Sequence, residues 1–150
     1  MKIPAALTMM NEDPLHILAI ESMEDGCILL KEDGSRLQAR ESPIALLQRW
    51  CLKYGSSLAG RQDAARYYLG KRIEKPPVLI SETSGRIFFR LGDHWICYNS
   101  VHAAANEGPM GTEITLEGGH KICVNAALRT VSRQLKRCQT YLSLLHEASI

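Results

Sequence analysis

Two histidine–cysteine pairs are the first residues in this sequence whose types and spacing could do chemistry. They are His94-x-x-Cys97 and His120-x-x-Cys123, and imidazole nitrogens and thiolates are the ligands of structural zinc sites. Both pairs fall where strands are predicted to begin. Residues three apart in a strand point to opposite faces, so the pairs could share a metal only if a turn intervened. We therefore expect no metal site and keep a small zinc-binding domain as the weaker alternative.

The other residues and motifs that could indicate catalysis do not predict an enzyme. Cys51 could serve as a thiol nucleophile, but it lies on the predicted apolar face of a helix, where a buried structural cysteine is expected. The sequence contains no P-loop, dinucleotide fingerprint or Gly-x-Ser-x-Gly elbow. Its five scattered cysteines form no Cys-x-x-Cys pair, which is typical of reduced thiols in a cytoplasmic protein. No apolar run approaches the roughly 18 residues of a membrane span. We expect a cytoplasmic protein that is not an enzyme and needs no cofactor.

Charge is distributed unevenly along the chain. Residues 43–75 carry seven basic and two acidic residues, and residues 129–150 carry four basic and one acidic residue. The blocks 1–42 and 76–128 are net acidic, and the whole chain has a formal net charge of +2. Clustered Lys and Arg at a modest net charge indicate a polyanionic partner, although ordinary solvated helix faces would give the same pattern.

The pattern of apolar residues predicts one α+β domain over residues 14–150, preceded by a flexible lead-in over residues 1–13. Alternating runs predict an N-terminal antiparallel meander and later hairpins, and three- and four-residue repeats predict a central helix pair and a C-terminal amphipathic helix. The predicted strands are 15–21, 27–31, 36–40, 78–80, 87–89, 95–98, 112–116 and 121–124, and the predicted helices are 43–54, 58–69 and 126–147.

Each predicted helix has a face that should be buried. In the first helix this face holds Ile44, Leu47, Cys51 and Tyr54. The second helix has a small-residue face, with Arg61 and Arg66 expected to lie off it. The members of that face are Ala59, Ala64, Ala65, Tyr68 and Leu69.

The C-terminal helix has the clearest period in the sequence. Its apolar positions step by three and four and gather on one side, and its basic residues gather on the other. The apolar seam is Leu128, Val131, Leu135, Cys138, Leu142 and Leu145, and the basic side is Arg129, Arg133, Lys136 and Arg137. The seam predicts packing against the protein's own core, with pairing to a second copy as the alternative.

The segment from Trp50 to Phe89 carries a specific combination of short motifs. In order they are Cys51, the Gly55-Ser56-Ser57 turn, Ala59-Gly60-Arg61, Lys75-Pro76-Pro77, an apolar strand and the Ile87-Phe88 strand. In order and spacing this segment resembles the ComK family of bacterial competence transcription factors, and a weaker resemblance extends over roughly residues 15–140.

The resemblance implies a DNA-binding activator of genes for DNA uptake. Family members bind A/T-rich boxes, largely through the minor groove, act as self-associated units, and are controlled by an adaptor and a Clp-type protease. The chain is shorter at its C-terminus than full-length members, which predicts a truncated or divergent member. In such a member, tail-dependent activation and adaptor-directed degradation stay open.

The candidate DNA-binding residues surround the second helix. The turn of Gly55, Ser56 and Ser57 offers N–H groups and hydroxyls to a phosphate, although Ser57 could simply cap its own helix. Arg61 is the first candidate for insertion into a narrow minor groove, and replacing it with Ala is expected to weaken DNA binding without unfolding the protein. The predicted phosphate contacts are Arg66, Lys71, Arg72 and Lys75, with Lys53 as a weaker candidate.

Two other interpretations remain open. The two central helices and the short turn between them could form a helix-turn-helix that reads the major groove, with Gln62 and Asp63 as the main base-reading candidates. Alternatively, the terminal seam could make the chain a dimerisation module that modulates a full-length relative without binding DNA itself.

Overall fold

A computed structural model describes residues 12–148, and over this range the chain forms the α+β fold that the sequence predicts. The predicted lead-in lies mostly outside the described residues. Within them, Glu12 forms an ion pair with Lys31 at 3.2 Å. The strands are β1 Ile17–Met23, β2 Gly26–Lys31, β3 Arg36–Ala39, β4 Val78–Ser81, β5 Arg86–Leu91, β6 His94–Cys97, β7 Val101–Glu107, β8 Gly111–Leu116 and β9 Lys121–Val124. The helices are α1 Pro43–Lys53, α2 Leu58–Leu69 and α3 Leu128–Ala148.

The strands form two antiparallel sheets. The larger sheet has six strands in the order β3-β2-β1-β6-β5-β4, and the smaller has three in the order β7-β8-β9. The predicted meander and hairpins are confirmed, because β1, β2 and β3 pair in sequence order, as do β4 with β5 and β8 with β9. No helix in the described range is long and apolar enough to cross a membrane.

Strand β7 is the one strand of the described residues that the sequence did not predict. Its sequence, Val-His-Ala-Ala-Ala-Asn-Glu, has little apolar alternation, and five of its seven residues are exposed. It forms because β8 pairs with it in antiparallel register from Val101 opposite Leu116 to Glu107 opposite Gly111, with one irregularity between Val101 and Ala103. The pairing is therefore set by a neighbouring strand rather than by β7's own propensity.

The six-stranded sheet is buried on both faces. Alternate residues of its central strands belong to two different apolar clusters, as Phe88 and Phe89 show on β5. The face that contains Phe88 packs against Trp50 and its neighbours on α1. The face that contains Phe89 packs against β8, β9 and α3. The molecule thus has three layers, with the larger sheet in the middle.

Helix α1 begins where the sequence predicts, but its buried face is shifted. Ser42 caps it by accepting a hydrogen bond from the Ala45 N–H at 3.2 Å. Ile44, predicted to be buried, is 44% exposed. The buried residues of the helix are Pro43, Leu46, Leu47, Trp50 and Cys51, and at 100° per residue Ile44 lies about 90° from the centre of this stripe. It therefore falls at the edge of the helix's contact with the sheet.

Helix α3 packs on the protein's own core, as its seam predicts. Val131, Cys138 and Tyr141 are fully buried in the cluster that includes β5 and β8. Gln134 is also buried, and its Nε2 donates to the carbonyl of Arg90 at 3.3 Å. The apolar seam is thus used inside the domain.

Candidate nucleic-acid interface

The turn before α2 is held by hydrogen bonds within the protein. Ser57 has an extended backbone, and its Oγ accepts a hydrogen bond from the Gly60 N–H at 3.0 Å. The Leu58 N–H donates to Oε1 of Gln48 at 2.7 Å. Gly55 has a φ of +84°, which allows the tight link from α1. The capping role of Ser57 is therefore confirmed, and part of the turn's donor capacity is used internally.

Arg61 lies on the buried side of α2, so the prediction that it lies off the packed face is wrong. The buried residues of this helix are Leu58, Arg61 and Ala65, which are spaced by three and four and share one side. The Arg61 Nη1 donates to Oε1 of Glu82 at 3.1 Å. Its Nε is buried and has no hydrogen-bond partner within residues 12–148. Insertion of Arg61 into DNA stays a prediction.

The other end of α2 presents a basic turn. The Gly70 N–H donates to the carbonyl of Arg66 at 2.8 Å, and the Ile73 N–H approaches the Gly70 carbonyl at 3.5 Å. The Nε of Arg66 donates to the carbonyl of Ile73 at 3.0 Å, and this hydrogen bond stabilises the turn. Lys71 and Arg72 occupy its two central positions, and both are exposed. The protein thus presents two adjacent cations on a fixed turn.

Gly70 makes this turn possible. Its φ is +137° and its ψ is 138°, a conformation that residues with a side chain rarely adopt. The glycine redirects the chain sharply at the end of α2, so that Lys71 and Arg72 leave the helix axis instead of continuing its exposed face.

A residue from α3 joins this turn. An open depression of about 560 Å³ lies between residues 69–75 and α3, and the charged residues that line it are Arg72, Lys75, Arg137 and the acidic Glu74. The Nη1 of Arg137 donates to Oε1 of Gln134 at 3.3 Å, which fixes its guanidinium beside the depression. Arg137 was not among the predicted site residues. The signal that could have found it is the second basic block of the sequence.

Arg133 extends the same surface along α3. It lies one helical turn before Arg137 and is exposed, so the two guanidiniums share a side of the helix. Glu147 is the only acidic residue after Glu117 in the chain. We use the term basic surface for Lys71, Arg72, Lys75, Arg133 and Arg137.

The structure divides the predicted site between the two ends of α2. Gly55, Ser56, Ser57 and Arg61 lie at its first turn, and Arg66, Lys71, Arg72 and Lys75 lie at or beyond its last. Twelve residues of α-helix separate these ends by about 18 Å. Lys53, the weaker candidate, ends α1, and its Nζ lies 5.8 Å from the centre of the Tyr54 ring.

The sulfur and histidine residues are placed as their strand positions suggest. Cys97 is buried in the cluster that contacts α1, and His94 lines a pocket on the other face of the sheet. Within residues 12–148, the side chains close enough to share a metal ion are Glu107, Glu113 and Cys123, and neither histidine of the two pairs is among them. Burial raises the pKa of the Cys51 thiol to about 11, which leaves it protonated at neutral pH and unsuited to nucleophilic attack.

The described residues thus form an α+β fold in which basic side chains from the turn after α2 and from α3 lie beside one depression. The sequence matches the family model described as ComK protein over residues 9–149. The chain therefore belongs to the ComK family, a family of competence transcription factors. Comparison with the curated proteins gives no match, and comparison with the solved structures gives none.

Proposed function

We propose that this protein is a DNA-binding regulator of competence genes that recognises A/T-rich duplexes mainly through the minor groove and phosphate contacts. The observation that carries the proposal is the basic surface, where residues about sixty positions apart in the sequence converge from the turn after α2 and from α3. Lys and Arg clustered on one surface are the usual electrostatic footprint of a nucleic-acid partner.

The turn at Lys71 and Arg72 is the element best shaped to enter a groove. It follows the end of α2, and both Lys71 and Arg72 are exposed in it. Narrow A/T minor grooves have an enhanced negative potential that attracts arginine. We therefore assign the groove contact to Arg72 and phosphate contacts to Lys71, Lys75 and Arg137.

The exposed face of α2 supports the minor-groove interpretation over a helix-turn-helix. Ala59, Gly60, Asp63 and Tyr67 are its fully exposed residues. A recognition helix reads base edges with long polar side chains near its start. Two of these residues have no polar side chain, and Asp63 would face the negative charge of DNA.

The turn of Gly55, Ser56 and Ser57 is proposed as a secondary phosphate contact. The amides of Leu58 and Gly60 already have partners, so the Ala59 amide and the Ser56 hydroxyl are the groups that would remain for a phosphate. Self-association and control by an adaptor and a Clp-type protease, which the family resemblance implies, stay predictions for this chain.

The test is fluorescence anisotropy with an A/T-rich duplex and a G/C-rich duplex over a series of salt concentrations. We expect tighter binding to the A/T duplex. Lys75→Gln and Arg137→Gln should each reduce the slope of log K against log salt by about 0.9, because each removes one phosphate-neutralising charge. Arg72→Gln should reduce the A/T preference, because it removes the groove contact.

Arg40→Gln is the matched control, because Arg40 is an exposed arginine outside the basic surface. It should leave the slope and the affinity unchanged. Equal losses in all four variants would indicate that only total charge matters and would contradict a defined interface. Absence of binding to either duplex would reject autonomous DNA recognition and favour the module that modulates a relative.

A further inference from the structure

A second group of basic side chains lies between the two sheets, away from the basic surface. It is a pocket of about 180 Å³ that the six-stranded sheet forms with β9. At about 30 Å³ per water molecule, this volume holds roughly six waters. It is large enough for a small ion with part of its hydration shell.

The strand register explains why charged residues meet here. Arg36 on β3 lies opposite Leu30 on β2, and Leu30 lies opposite Ala19 on β1. In the neighbouring row, Glu21 on β1 lies opposite His94 on β6. Directly paired residues point to the same face of a sheet, so Arg36, His94 and Glu21 all reach the same pocket.

Strand β9 closes the pocket from the other sheet with Lys121. The Nζ of Lys121 is 3.4 Å from Oε1 of Glu113. Within residues 12–148, the side chains of Arg36 and His94 form no hydrogen bond or ion pair. The pocket therefore holds the two cations Arg36 and Lys121, one histidine and the carboxylate of Glu21. Glu113 pairs with Lys121 at its edge, so among the described residues of the pocket Arg36 is the cation without a partner.

We propose that this pocket binds a small oxyanion of the phosphate class. The guanidinium of Arg36 and the ammonium of Lys121 would bind its oxygens, and the His94 ring would donate a third hydrogen bond. Because Arg36 and Lys121 belong to different sheets, the anion would link the two sheets. It could be free phosphate or a phosphate of the DNA backbone, and only the second source rests on the proposed function.

The test is thermal unfolding of the full chain in inorganic phosphate, compared with chloride at equal ionic strength. Binding to the folded state should raise Tm by about 3–5 °C for each tenfold increase in phosphate above its Kd. Arg36→Gln and Lys121→Gln should each raise the phosphate Kd by about tenfold. Glu21→Gln should lower it by about threefold, because a repelling charge is removed.

The opposite direction of Glu21→Gln separates binding from a structural effect, because a merely structural role would not make one variant bind more tightly. A phosphate response equal to that of chloride, or one unchanged by the three variants, would overturn the proposal. Anisotropy with the A/T duplex then shows whether the bound phosphate belongs to DNA. If Arg36→Gln reduces the slope of log K against log salt by about 0.9, the pocket binds a phosphate of the DNA backbone. If the slope is unchanged, the pocket binds free phosphate. Because the thermal test contains no DNA, its failure would leave the proposed DNA binding untouched.

Discussion

Replacement of Arg61 separates the two roles that this residue could have. The sequence suggests a DNA contact whose removal leaves folding intact, whereas the structure places Arg61 at 8% exposure against Glu82. We compare Arg61→Ala, which removes the whole side chain, with Arg61→Met, which keeps an unbranched apolar stem of similar length in the same space.

The expected magnitudes follow from the contacts. Loss of a long buried stem costs about 2–5 kcal/mol. The ion pair contributes less than about 1 kcal/mol, because Glu82 is 75% exposed. The unpartnered Nε already costs the native state about 1–3 kcal/mol, and both variants remove that cost. Arg61→Ala should therefore destabilise the protein by about 2 kcal/mol and lower Tm by about 4–8 °C. Arg61→Met should stay within about 1 kcal/mol of the native protein.

The assay is urea unfolding of both variants, followed by anisotropy with the A/T duplex under conditions in which both are folded. Destabilisation by Arg61→Met equal to that by Arg61→Ala would refute the reasoning, because the charge and not the stem would then stabilise the fold. Weaker duplex binding by a stable Arg61→Met protein would show that Arg61 contacts DNA after all.

Two further predictions concern backbone geometry and buried thiols. Gly26→Ala should lower the free energy of unfolding in urea by at least about 3 kcal/mol, because the added Cβ would lie 1.9 Å from the Ala39 carbonyl oxygen. Gly85 has a φ of +67°, but no heavy atom lies within 4 Å of an added Cβ. Gly85→Ala should therefore lower the free energy of unfolding by only about 1 kcal/mol. Similar costs for both would show that conformation and not the clash dominates. Burial raises the pKa of the Cys27 and Cys51 thiols to about 11 from the ordinary 9.0. Between these two pKa values the folded protein keeps protons that the unfolded chain has lost. The free energy of unfolding should therefore fall as pH rises from about 9 to about 11. Cys51→Ala should make this fall shallower in unfolding curves at pH 8 and pH 10.5, and an identical fall would contradict the assignment.

The elements that the sequence predicts well are those with strong local signals. Ser42 before Pro43 predicts the start of α1, and two apolar runs on either side of the turn at Gly85 predict the hairpin of β4 and β5. The failures have a different origin. Strand β7 depends on pairing with β8, and the burial of Arg61 depends on Glu82, twenty-one residues later in the turn between β4 and β5. Periodicity identifies the faces of an element, but it does not identify what each face meets.

The same limit explains why the basic surface was predicted only in part. Lys71, Arg72 and Lys75 form a local cluster that the sequence reveals directly, whereas the contribution of Arg137 requires α3 to pack beside the turn after α2. The sequence shows the two basic blocks at residues 43–75 and 129–150, but it does not show that they lie close together in space.

The two ends of α2 carry different parts of the predicted site, and we expect them to have different roles. At the first turn of the helix, Ser57 caps α2 and Arg61 binds Glu82. Beyond the last turn, the charged side chains of Lys71, Arg72 and Lys75 are exposed to solvent. Substitutions at the two ends should therefore affect different quantities. Changes at Arg61 should appear in the free energy of unfolding, and changes at Lys75 should appear in the salt dependence of DNA binding. If the two quantities always change together, the helix acts as one unit and the division is wrong.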